Sequence, residues 1–277
     1  MLIKYLNKAS KHISLVKFAH TLLALPFALI GFFIAISQNP GSFSLWIFIK
    51  VLLCMIFARN AAMAFNRYAD RNIDAINPRI ACRKIPAKII RPNSALIFVV
   101  MNSLLFITTA YFINKLVFYL SPVALTVILG YSYAKRFTWL AHLFLGLGLS
   151  LAPIGAYLAV NGHFSLLPIL FYIVVLFWVS GFDVIYALQD EDIDKTLNLK
   201  LIPAFMGRKN ALFVSVILHV NSVFFVIIAG LMGNAGHFFW VGALIFSILL
   251  IYQHLLVKPN DISKVNIAFL QPTVLPA

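Results

Sequence analysis

Apolar positions in this chain neither alternate nor recur every third or fourth residue; they run on unbroken. Such runs fall near 20–37, 43–66, 94–113, 115–133, 139–160, 164–189, 211–232 and 236–257, and a shorter one covers 265–276. A helix needs about 20 apolar residues to cross the hydrocarbon of a bilayer, and the first eight runs meet or approach that length. The ninth contains Gln271, Pro272 and Pro276, so it reads as a partial span. The expected fold is therefore all-α: a polytopic membrane protein with eight to nine transmembrane helices.

Composition agrees. Of 277 residues, 62% are hydrophobic and 11% charged, with a mean hydropathy of +0.95, more apolar surface than a soluble domain can hide. Lys4, Lys8, Lys11 and Lys17 precede the first run, as in a signal peptide, but no small-x-small cleavage site follows, so the run is read as a retained first helix. Cys54 falls in a span and Cys82 in a loop, which leaves neither a disulfide framework nor a CxxC metal knuckle.

The net charge of +14 raises the question of nucleic acid. Its placement answers it. If the N-terminus is cytoplasmic, one set of loops carries 19 of the 22 basic residues, while Lys50 and Lys115 lie opposite and Arg59 inside a span. This is the positive-inside pattern, with attraction to anionic lipid as its side effect. No nucleic-acid motif accompanies the charge. The chain is expected in the cytoplasmic membrane, multi-pass, with its N-terminus and the acidic loops on the cytoplasmic side.

The acidic residues are rarer. Seven of eight fall in two clusters, Asp70 and Asp74 at the end of the second run, and Asp183, Asp190, Glu191, Asp192 and Asp194 at the end of the sixth. Ionisable groups at the edge of membrane depth mark functional sites by default. Asn66, Asp70 and Asp74 stand four apart, which puts them on one helical stripe, and Asp183, Tyr186, Asp190 and Asp194 form a second. Asp70 and Asp74 precede Asp190 and Asp194 by the same 120 residues, which suggests two similar halves, about 15–135 and 136–257, facing one another in a single domain over 1–277.

Carboxylates at i, i+4 repel, and a cation must offset that repulsion. Oxygen donors without His or Cys select Mg²⁺, which shares itself between one or two carboxylates and substrate phosphates. Two such stripes amid Arg and Lys look like a diphosphate clamp. The alternative, that these aspartates only pair with Arg67, Arg71 and Lys195, stays open at this point, as does an ion-coupled transporter with acids between two repeats. Against the transporter, the acids lie at span ends and not at the midplane. The seven histidines show no metal spacing, no nucleotide or hydrolase motif is present, and the glycines of 145–157 read as helix-packing positions.

The motifs "NRYADRNID" (66–74) and "DVIYALQDEDID" (183–194) resemble those of the UbiA superfamily of intramembrane prenyltransferases. The stretches at 16–29, 131–157 and 252–269 look like its 4-hydroxybenzoate polyprenyltransferase branch, so the resemblance covers roughly 15–269. It implies helices around a central cavity and an enzyme that moves a prenyl chain from an isoprenyl diphosphate to an aromatic acid within the lipid bilayer. By resemblance, Asn66, Asp70, Asp74, Asp190 and Asp194 would hold Mg²⁺, and Asp70, Asp190 and Arg136 would be catalytic, with Asp190 a candidate to take the acceptor's proton. Arg67, Arg79 and Lys195 would contact phosphates, the Lys135–Arg136 pair would hold the acceptor or departing diphosphate, and Asp183 and Tyr186 would face the same cavity. A hydroxynaphthoate of menaquinone synthesis and haem are the alternative acceptors. The chain departs from the family's usual run at Ile80, Cys82, Lys84, Lys88 and Leu201.

Overall fold

The computed structural model describes residues 18–268, with side chains from Ala24 onward. Lys4, Lys8, Lys11, Lys17 and most of the ninth run, 269–276, lie outside what can be described. Among the described residues the chain is helical apart from one isolated bridge, Lys258 with Asp261. In order the elements are α1 (Phe18–Gln38), α2 (Leu45–Ala69), α3 (Arg71–Ile76), α4 (Pro92–Tyr111), α5 (Lys115–Phe137), α6 (Ala141–Asn161), α7 (Leu166–Ala187), α8 (Glu191–Thr196), α9 (Ile202–Met232), α10 (His237–Leu256) and α11 (Val265–Ala268). Short 3₁₀ turns occupy Pro40–Ser42 and Leu188–Asp190. Among the described residues, seven helices are long and apolar enough to cross a membrane, and the apolar Ala24–Gln38 adds a shorter one. The protein is thus a multi-pass helical membrane protein. The ninth run begins as the single turn of α11.

The described chain divides into two compact units, 18–132 with 152–164, and 133–151 with 165–268. In the first, α2 packs chiefly on α4, with Ala61, Ala64, Ala95 and Val99 forming a buried seam. Ala28, Phe32, Val51, Ala156 and Ala159 fill a second cluster. Small residues let backbones close up where the apolar effect between helices is weak. Asn114 caps α5 by accepting the Val117 N–H (2.9 Å) and donates to the Leu158 carbonyl (2.9 Å).

In the second unit the most extensive pairing is α7 with α9. Gly181 makes it possible, since a Cβ there would stand 2.5 Å from Cδ2 of His219. Hydroxyls supply the polar glue: Ser215 donates to the Gly181 carbonyl (2.7 Å) and Ser222 to that of Val174 (3.0 Å). Of the glycines read as packing positions, Gly146 approaches the Leu176 carbonyl closely, whereas Gly155 has open space around it.

The seventh run starts earlier than its apolar pattern suggests. Helix α9 reaches back to Ile202 through a kink at Gly207 (φ 77°, ψ 166°), a backbone state that L side chains rarely adopt.

Candidate functional site

The first acidic stripe is bent. Helix α2 ends at Ala69, Asp70 takes φ −91° and ψ 2°, and α3 begins at Arg71. This bridge conformation is sparsely populated and common at active sites. The hydrogen-bond ladder nevertheless continues: the amide of Asp70 donates to the Asn66 carbonyl (2.9 Å) and that of Asp74 to the Asp70 carbonyl (2.8 Å). Asn66, Asp70 and Asp74 therefore stay together through the bend, in place of the straight stripe that spacing predicts.

Asp70 and Asp74 are 2% and 1% exposed. Asn66 Nδ2 donates to Asp70 Oδ2 (3.1 Å), which leaves its amide oxygen as a further donor atom for a cation. Arg83 Nη1 reaches both oxygens of Asp74 at 2.9 Å. Arg67 is half-buried and close enough to Asp74 and Arg83 to feel both charges. Arg79 is exposed, and its amide is held by Asn77 Oδ1 (3.0 Å).

The second motif repeats the bend. Asp190 takes φ −109° and ψ 5° between the 3₁₀ turn and α8. Asp194 is 7% exposed and Asp190 half-buried. Glu191 is buried and holds two cations, Lys195 Nζ and Arg208 Nε, each at 2.6 Å. Asp74 is salt-paired with Arg83, while two of the cations expected to pair with the aspartates are engaged elsewhere: Lys195 bonds Glu191, and Arg71 donates to the Tyr68 carbonyl (2.7 Å) and stacks over the Tyr68 ring.

Asp183 lies one helical stretch earlier, 29% exposed at its side chain, with Oδ2 at 2.7 Å from Nδ1 of the fully buried His142. Tyr186 is half-buried on the following turn. At the end of α5, Arg136 stacks on the Tyr133 ring at 4.9 Å, and the Lys135 carbonyl accepts the Lys200 N–H at 2.7 Å.

Spacing missed three of these groups. Arg83 counts in the sequence only as a topology charge, Glu191 as one acid among eight, and His142 as one of seven histidines without metal spacing. Arg83 and His142 find their partners through a loop or a neighbouring helix, and Glu191 pairs with Lys195 inside α8 and with Arg208 beyond it. Among the described residues His219 and His254 also pair, with Nδ1 of the first 2.8 Å from Nε2 of the second.

The first motif's donors fit a hard divalent cation, being buried oxygens with neither sulfur nor imidazole among them. Among the described residues no three His, Cys, Asp or Glu side chains gather at one point. Magnesium does not require that, since it takes one or two carboxylates and keeps waters or phosphates as its other ligands.

The chain matches the UbiA prenyltransferase family over residues 24–273. It is 28% identical to a 4-hydroxybenzoate octaprenyltransferase of Aeromonas salmonicida over 226 residues, 82% of this chain and 78% of that one. It is also 28% identical to the enzyme of the same name from Tolumonas auensis over 250 residues, 90% and 86% of the two chains. Among solved structures, the apo UbiA homologue of Aeropyrum pernix K1 superposes with a TM-score of 0.84 at 30% identity, over 92% of this chain and 94% of that one. A UbiA homologue of Archaeoglobus fulgidus, solved with GPP and Mg²⁺, shares the fold with a TM-score of 0.73 at 23% identity, over 93% and 95%.

Proposed function

The chain belongs to the UbiA prenyltransferase family, and from that premise we propose that it transfers a polyprenyl chain, with Mg²⁺, from an isoprenyl diphosphate to a 4-hydroxybenzoate-like aromatic acid in quinone biosynthesis. The observation that carries the metal and diphosphate roles is the bent, buried group Asn66–Asp70–Asp74 beside Arg67 and Arg83. Relatives named as 4-hydroxybenzoate octaprenyltransferases support the acceptor class.

In this reading Asn66, Asp70 and Asp74 hold magnesium at one motif, and Asp190 and Asp194 do so at the other. Magnesium, once bound, supplies positive charge against the leaving diphosphate. The chain's own groups do the rest. Arg67, Arg79 and Lys195 donate to phosphate oxygens where charge develops as the allylic C–O bond breaks and its electron pair leaves with the diphosphate. Lys195 keeps donors for this role, because an ammonium has three and Glu191 uses one. Lys135 and Arg136 meet the acceptor's carboxylate or the departing diphosphate. The ring carbon ortho to the phenol forms the new C–C bond, and Asp190 takes the proton that this carbon loses. Membrane depth excludes the water that would quench an allylic cation. The protein sits in the cytoplasmic membrane with both acidic motifs on the cytoplasmic side.

Purified protein with Mg²⁺, geranyl diphosphate and a panel of 4-hydroxybenzoate, a hydroxynaphthoate and haem tests the reading. Prenylated 4-hydroxybenzoate and pyrophosphate are expected from the wild type. Turnover should fall at least a hundredfold in Asp70→Ala and Asp190→Ala while membrane insertion persists. Product from another acceptor alone would move the substrate class, and full turnover in both variants would overturn the site.

A further inference from the structure

We propose that His142 is a positioning residue for the aromatic acceptor, holding Asp183 so that its second oxygen takes the acceptor's hydroxyl as a hydrogen bond; this rests on the aromatic-acceptor reading above. The evidence is the set of bonds around one buried imidazole. The Ile202 N–H points at His142 Nε2 at 3.3 Å. A backbone amide can only donate, so Nε2 presents its lone pair and the ring proton lies on Nδ1. That proton is directed at Asp183 Oδ2, 2.7 Å away. One oxygen of Asp183 is thus pinned by the ring N–H.

Its other oxygen, Oδ1, makes no further bond among the described residues, and the side chain is 29% exposed against 1% for His142. A carboxylate in that state accepts a phenolic O–H well. The bond pushes electron density into the ring, toward the carbon that must attack the allyl group. Ile202 is also the first residue of α9, and two residues earlier the Lys200 N–H is clipped to the Lys135 carbonyl. The same loop therefore registers Asp183 through His142 and the Lys135–Arg136 pair directly. A histidine that only filled space would need neither bond.

The test uses the full-length protein in nanodiscs with Mg²⁺, geranyl diphosphate and 4-hydroxybenzoate, comparing wild type, His142→Asn, His142→Gln, His142→Ala and Asp183→Asn. Asparagine can place an N–H where Nδ1 stood, and glutamine cannot. We expect His142→Ala and His142→Gln to raise the acceptor KM or lower kcat at least tenfold, with the geranyl diphosphate KM within twofold of wild type. His142→Asn should recover most of that loss. The ¹⁵N spectrum of wild-type histidine should show His142 protonated at Nδ1 and bare at Nε2, a readout that needs neither turnover nor a folded variant. Equal damage in His142→Asn and His142→Ala, an equal rise in both KM values, or an Nε2–H tautomer would overturn the inference. Wild type inactive toward every phenolic acid would overturn the acceptor reading itself, and the role of His142 with it.

Discussion

Asp70 and Asp190 share one backbone state, near φ −100° and ψ 0°, at equivalent points of two motifs. Around Asp70 the charge balance is tight: Asp74 is fully buried and Arg83 meets both its oxygens. Removing that guanidinium leaves a buried carboxylate short of a donor, a loss of about 1–3 kcal/mol. Arg83→Ala should therefore lower the Tm in detergent, and millimolar Mg²⁺ should restore more of it than in wild type, because the ion replaces the missing cation. A Tm unchanged by the substitution would remove Arg83 from the balance. At this scale the sequence was legible where chemistry repeats at helical spacing, as at Asn66, Asp70 and Asp74. It was illegible where the partner comes from elsewhere. Nothing in the order of residues joins His142 to Asp183 and Ile202, which are 41 and 60 positions away.

Elements followed the apolar runs closely, because a stretch that cannot face water or leave its amides unpaired in lipid has only the helix open to it. The departures lie where polar chain ends meet that rule. The second and sixth spans bend at their aspartates, and the seventh gains a turn before Gly207. That turn carries the bonds of Ile202 and lies against Arg208, the partner of Glu191. At Gly207 the space around a Cβ is open, so the demand is purely conformational. Gly207→Ala should destabilise the protein by about 1–3 kcal/mol, read as a lower Tm in detergent. A variant as stable as wild type would mean that the kink is not required. Gly181 presents the opposite case, since its backbone is ordinary and its surroundings are full.

For the whole molecule, the distribution of charge predicts an orientation that can be measured. With Cys54 replaced by Ser, the exposed Cys82 should react with a membrane-impermeant maleimide in inverted vesicles and not in intact cells, whereas Lys115→Cys with both Cys54 and Cys82 replaced by Ser should do the reverse. Labelling of Cys82 in intact cells would invert the assignment. The bends at Asp70 and Asp190 also bear on how the proposed magnesium would be met. Because the amides of Asp70 and Asp74 keep their partners through the first bend, and Asn66 and Arg83 hold their carboxylates, a divalent ion bound there as proposed would meet side chains that are already placed. The cost of capture would then lie mainly in the shedding of water from the ion's own shell, which magnesium gives up reluctantly.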